Sequence, residues 1–310
     1  MDLDGDGKKD LISGNYVTDD ENGVGRVYLL KGLGDGGFTS PVIVNNQDGK
    51  PVIPAAVEEG DDRYNRGQIC IHPFAADWDA DGDLDLIIGN FEGSFSLVLN
   101  EKGSKGMSFS SKATLLKDTS GNKLKCLGPH SAPFIIDWDG DGDLDLLSGD
   151  AQQGLGWSEN TGSETEPKLA PFKSILSLEV CRSQKSGDPS TYKPGSSFRP
   201  WIADVNGDGK LDVLLGDDTQ LTKRVEGLSD EEFTKKEKEW ESKSNELGAA
   251  YIKESEKVKN LYDLEEHNEE QKKRIEQFES VRKELMDHQR ARSEFMIEQR
   301  VGHVWLFIAK

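Results

Sequence analysis

The chain has 310 residues, with 38 Lys or Arg against 58 Asp or Glu, so its formal charge is -20 and its pI about 4.7. An acidic surface of that kind repels phosphate backbones and excludes nucleic-acid binding by bulk electrostatics. Hydrophobic residues make up 34% and 33 positions are glycine, enough for a packed core with many turns, and no apolar run reaches the length of a transmembrane segment.

The first predicted element is an acidic nonapeptide, DLDGDGKKD, from Asp2 to Asp10. It recurs as DWDADGDLD from Asp77, DWDGDGDLD from Asp137 and DVNGDGKLD from Asp204, at spacings of 75, 60 and 67 residues. Each copy is followed by an apolar run, LISGNY, LIIGNF, LLSGDA or VLLGDD, and the last three are preceded by PFAADW, PFIIDW and PWIADV. Each unit therefore reads as strand, acidic loop, strand. Glycine-led runs from Gly25, Gly93, Gly154 and Gly302 predict a third strand, and Phe38 to Val44, Phe109 to Leu116 and Phe172 to Leu178 a fourth. Small sheets repeating at this period are most economically closed radially, each covering its neighbour's apolar face. The predicted fold is mainly β, a β-propeller of about four recognisable blades.

In the fourth copy the third strand is displaced. From loop start to the third-strand glycine is 16 residues in copy two and 17 in copy three, but 98 in copy four. Residues 221–300 hold 17 basic and 21 acidic side chains, a mixed-charge composition unlike the acidic, glycine-rich remainder. Phe233, Trp240, Leu247, Tyr251, Val258, Leu261 and Tyr262 form one stripe; Ile275, Phe278, Val281, Leu285 and Met296 form a second. Ser229, followed by Asp230, Glu231 and Glu232, supplies a helix cap. The predicted organisation is blades over 1–226, a long helical hairpin over 227–300 inserted in the last blade, and a returning strand over 301–310. The hairpin packs on itself or projects as an arm that contacts a partner.

Carboxylates at positions 1, 3, 5 and 9 of each nonapeptide, with a backbone carbonyl at 7 and glycine at 6, can wrap a hard cation, and calcium suits such oxygen-rich, flexible loops. The predicted side-chain ligands are Asp2, Asp4, Asp6 and Asp10; Asp77, Asp79, Asp81 and Asp85; Asp137, Asp139, Asp141 and Asp145; and Asp204, Asn206, Asp208 and Asp212. Lys8, Asp83, Asp143 and Lys210 contribute carbonyls. Up to four Ca2+ ions are expected. Exposed hairpin turns also use Asp and Gly, but no turn requires four mutually repelling carboxylates at these positions in four copies.

These loops, their spacing and their flanking strands resemble the FG-GAP/VCBS repeat family of calcium-binding β-propellers, similar to the repeats of integrin alpha-chain heads. The long insertion and the DGK and PVIP segments near 48–54 resemble bacterial secreted proteins of that class. The resemblance implies calcium loops on one face of a propeller, and a secreted, periplasmic or cell-surface location. Two departures stand out. Asn206 replaces the usual Asp, and no first strand precedes Asp2, so a fragment of a larger propeller, an open arc and a ring closed by a shared blade all remain open.

Upstream of the inner strands, His72, His130 and Arg199, with Trp201, Arg63 and Arg66, are candidates to line a central funnel. Trp78 and Trp138 are expected to pack beneath their loops. Trp157, Trp305 and Tyr28 are expected in the core between blades. The three cysteines, Cys70, Cys126 and Cys181, are too scattered for a disulfide framework. The leading functional reading is a non-catalytic, calcium-binding extracellular module for an unidentified protein or carbohydrate ligand. Two others stand beside it: a hydrolase or lyase acting on polysaccharide in the funnel, and a structural module of a larger secreted protein.

Overall fold

The computed structural model describes residues 1–17, 23–56, 66–101, 106–261 and 266–309. They form two compact units. One comprises Met1–Arg182, Lys193–Thr219 and Gly302–Lys310, the other Ser183–Tyr192 and Gln220–Val301.

The first unit is built from small antiparallel sheets, one per acidic loop. The first sheet holds β1 (Leu11–Gly14), β2 (Val27–Leu30) and β3 (Val42–Ile43). The second runs in order β4 (His72–Ala76), β5 (Asp85–Gly89), β6 (Phe95–Val98) and β7 (Thr114–Leu115). The third repeats it with β8 (Ala132–Ile136), β9 (Asp145–Gly149), β10 (Gly154–Ser158) and β11 (Lys173–Ser177). After β12 (Ser183–Lys185), which belongs to the second unit, the fourth sheet begins with β13 (Ser196–Ala203) and β14 (Asp212–Arg224). Past β15 (Met296–Val301) in the second unit, β16 (Val304–Phe307) returns to pair with β14.

Register repeats from sheet to sheet: His72 faces Gly89, Ala132 faces Gly149 and Arg199 faces Gly216. Strand alternation then sends successive side chains of the second strand to opposite neighbours. Leu86 and Ile88 enter a core with Val27 and Leu29 of the first sheet, while Ile87 joins Ile135 and Leu146 of the third. Phe134, Leu147 and Leu155 pack on Phe198, Ile202, Val213 and Leu215 of the fourth. The second strands of the middle sheets are thus buried on both sides, which explains their continuous apolar sequence. Trp78 lies in the second of these cores, and Trp138, Trp157 and Trp305 pack against the third, whereas Tyr28 is only half-buried.

Glycine closes β1, β5 and β9 for a steric reason. A Cβ on Gly14, Gly89 or Gly149 would lie 2.0, 2.4 or 2.3 Å from the carbonyl oxygen of Ile71, Ser131 or Phe198 in the following sheet. Gly216 has only its own sheet's Arg199 carbonyl, at 3.7 Å. Among the described residues no sheet closes on itself and no buried cluster joins the fourth sheet to the first. Leu11 and Ile43 on the first sheet, and Trp201, Val304 and Leu306 on the fourth, are exposed.

In the second unit, the end of β14 pairs with β12 in parallel, Gln220 opposite Ser183, and with β15. Helix α1 (Asp230–Val258) and helix α2 (Glu269–Ala291) follow capping boxes, Ser229 with Glu232 and Asn268 with Gln271. Each box satisfies amides that the first turn leaves unpaired. Trp240 clasps the helices together. Its indole N–H donates to the His288 carbonyl at 3.0 Å, and its ring stacks on His288 with centroids 5.4 Å apart. Leu247, Val258 and Phe278 are buried along the stripes. Met296 lies beyond the second helix, at the start of β15, where it packs with Phe233 and Phe295. Tyr262 lies outside the described residues.

Candidate metal centre

Each acidic loop is wound around its own carboxylates. The first-position Asp accepts the amide of the sixth-position glycine in all four copies: Gly7 to Asp2 at 2.8 Å, Gly82 to Asp77 at 3.2 Å, Gly142 to Asp137 at 3.1 Å and Gly209 to Asp204 at 2.8 Å. Those glycines have φ of 86°, 95°, 100° and 84°, the left-handed region that L side chains avoid. The fifth-position Asp accepts the seventh-position amide, as in Lys8 to Asp6 at 2.9 Å and Asp143 to Asp141 at 3.1 Å. The backbone therefore aims carboxylates inward before any cation is considered.

Three loops gather carboxylates closely enough to share one ion. Oxygen atoms of Asp2, Asp4 and Asp6, of Asp77, Asp79 and Asp81, and of Asp137, Asp139 and Asp145 lie within 4.8 Å of one another. The fourth loop gathers no such set. There Asn206 donates to Asp208 at 3.2 Å, and the backbone amides of Gly207, Asp208 and Gly209 hold Asp204 below the usual carboxylate range.

The ninth-position aspartates have a second task that spacing does not reveal. All four are buried, and each accepts two backbone amides, one from loop position 2 and one from beyond the third strand. Asp85 takes Trp78 at 3.1 Å and Asn100 at 2.7 Å; Asp145 takes Trp138 at 3.1 Å and Asn160 at 2.7 Å. Asp10 likewise takes Leu3 and Gly32, and Asp212 takes Val205 and Ala309. These carboxylates tie the loop to the far side of its sheet.

Electrostatics separates the loops further. Burial pushes the Asp85 carboxyl up to about 7 and Asp143 up to about 6, the latter also repelled by Asp141, Asp145, Asp139 and Asp137. Asp79 is raised by burial and by Asp81. Oδ1 of Asp77, Asp79 and Asp143 is buried without a hydrogen bond. The first loop instead holds a cation of its own: Lys31 Nζ is 2.7 Å from Asp4 Oδ2 and holds that carboxyl below its ordinary value. No sequence signal links Lys31, on the third strand's exit, to the first loop.

At the other end of the inner strands, Arg199 Nη2 lies 2.7 Å from His72 Nε2. His130 packs against Phe91 with ring centroids 4.4 Å apart and planes tilted by 44°, and the Arg66 guanidinium lies 5.9 Å from the same Phe91 ring. Trp201 meets Phe134 edge-on at 5.5 Å, and Arg63 lies outside the described residues. Burial pushes the Cys126 thiol up to about 12, which leaves it a core residue rather than a nucleophile.

The FG-GAP-like repeat family matches residues 77–148 and again 137–215. Each match starts at the first Asp of an acidic loop and ends on the second strand of the next sheet. No curated protein matches the chain.

Proposed function

We propose that this protein is a non-catalytic, calcium-binding module of propeller type, with its sheets arranged as blades and its second and third loops as the principal ion sites. The observation that carries the reading is the set of buried carboxylate oxygens without hydrogen bonds, on Asp77, Asp79 and Asp143, beside closely gathered aspartates. Leaving a carboxylate buried and unpaired costs free energy that a divalent cation recovers. The donors are all oxygen, the preference of calcium or magnesium rather than zinc or copper. Asp77, Asp79 and Asp81 would hold one ion and Asp137, Asp139, Asp141 and Asp145 another. When bound, the cation supplies charge neutralisation and cross-linking of a loop to its sheet. The repeat match and three successive sheet-on-sheet cores support the blade arrangement, and an extracellular setting rich in calcium suits loops of this kind.

Binding is favoured over hydrolysis at the opposite end of the strands. Burial, then Arg199 and His130, hold His72 down to about 3, far from the value a general base needs near neutral pH. Calorimetric titration of the chelated protein with calcium and magnesium tests the proposal. Saturable calcium binding that Asp79→Ala with Asp139→Ala abolishes would support it, and heat no different from buffer dilution would refute it.

A further inference from the structure

We infer that Arg199, His72 and His130 form a binding site for a small oxyanion, a carboxylate or sulfate group carried by a soluble ligand. Nothing in this inference depends on the metal reading.

Three facts about Arg199 point there. It is half-buried, and desolvation pulls its guanidinium below the usual range. Its hydrogen bonds go to the Phe198 carbonyl at 3.0 Å and to His72 Nε2 at 2.7 Å, both neutral acceptors. Among the described residues no carboxylate lies within ion-pair distance of it, in a protein of net charge -20 with abundant carboxylates to offer. A guanidinium withdrawn from solvent is ordinarily paired, and here the described neighbours add cations instead. Arg199 and His130 both oppose protonation of His72, and Arg199 and Arg182 oppose protonation of His130.

Among the described residues the remaining neighbours offer no carboxylate within ion-pair distance of Arg199. The Cys70 thiol is pushed up by burial and stays neutral, as does Cys126. Asp150, the carboxylate nearest Cys126, spends its Oδ1 on the amides of Gln152 and Gln153 at 2.6 and 2.7 Å. His72 must carry its proton on Nδ1 for Nε2 to accept from Arg199. That Nδ1 is buried without a hydrogen bond of normal geometry, although the Cys70 and Ser131 carbonyls lie close enough to favour its protonated form.

The backbone holds these groups in strained positions. Cys70, His130 and Ser197 each lie three residues before the proline of an inner strand, and have φ of 52°, 65° and 59°. Left-handed non-glycine residues cost free energy and concentrate where side chains must be placed for use. Here the backbone N–H of each donates a hydrogen bond to the chain leaving the preceding sheet's second strand: Cys70 to the Tyr16 carbonyl at 2.7 Å, His130 to that of Phe91 at 3.1 Å and Ser197 to that of Ala151 at 3.4 Å. The same turn thus places His130 at one sheet and, two residues on, His72 and Arg199 at two others. A planar guanidinium matches an oxyanion, with His72 Nε2 orienting it as acceptor and the neighbouring His130 supplying a second donor.

The test uses the full chain, titrated with sodium sulfate and with malonate and followed by imidazole NMR resonances, against sodium chloride at equal ionic strength. The expected result is saturable movement of the His72 and His130 resonances with either oxyanion and none with chloride. Arg199→Gln should weaken binding at least tenfold, and His130→Gln, at a half-buried position, should weaken it severalfold if Arg199→Gln does not fold. Shifts that follow ionic strength alone, or binding unchanged in the variant that folds, would overturn the inference. Saturation by sulfate without malonate, or the reverse, would support it and name the group.

Discussion

At the residue scale, aspartates of the same loop act on different partners. Asp85 and Asp145 hold two backbone amides each, whereas Asp79 and Asp139 face other carboxylates. Asp85→Ala should therefore cost stability even in chelator, about 1–3 kcal/mol for amides left unsatisfied, while Asp79→Ala should cost nothing in chelator and lose the calcium-dependent gain. Urea unfolding with and without calcium separates the two. His72 makes a further expectation. Its folded value of about 3 lies below the ordinary 6.5, so it contributes stability above pH 6.5 that is lost as pH falls from there towards 3. Subtracting the pH–stability curve of His72→Gln from that of the parent should show this loss, and parallel curves would refute it. The carboxylate loops were legible from four copies of one spacing. The role of position 9 was not, because its amide partners lie beyond the third strand. Lys31 was missed for the same reason: its pairing with Asp4 exists only once the sheet has formed. The shared backbone turn of Cys70, His130 and Ser197 is readable as a constant offset of three residues from proline, but its left-handed backbone is not, because no glycine marks it.

At the element scale, the strands were legible because alternation and glycine punctuation repeat. The additions of the second unit, β12, β15 and the far half of the 13-residue β14, were not, since they have no counterpart in other copies. The glycines at the equivalent position of the second strands permit a graded test. Gly89→Ala and Gly149→Ala press a methyl group into a neighbouring backbone carbonyl and should destabilise by about 1–3 kcal/mol. Gly216→Ala meets no such carbonyl and should change stability by no more than about 0.5 kcal/mol. Equal losses at Gly149 and Gly216 in thermal unfolding would show that another sheet covers the fourth. In the hairpin, Ser229→Ala removes one half of a capping box and should cost about 0.5–2 kcal/mol. Faster amide exchange confined to the first turn of α1 is the expected signature.

At the scale of the whole molecule, charge and packing make opposing demands. Acidic loops crowd carboxylates at the ends of sheets whose cores press together, and burial first, with that crowding second, raises Asp79, Asp85, Asp143 and Asp145 above their ordinary values. A divalent cation would relieve that conflict, and its binding would add to folding free energy, about 2.7 kcal/mol per site at a hundredfold excess over Kd. The second and third loops should fill first, since Lys31 already occupies part of the first and Asn206 weakens the fourth. The most direct measurement is native mass spectrometry of metal stoichiometry paired with thermal unfolding, in calcium and after chelation. The account predicts at least two tightly held calcium ions and a lower midpoint once they are removed; a metal-free protein with an unchanged midpoint would contradict it.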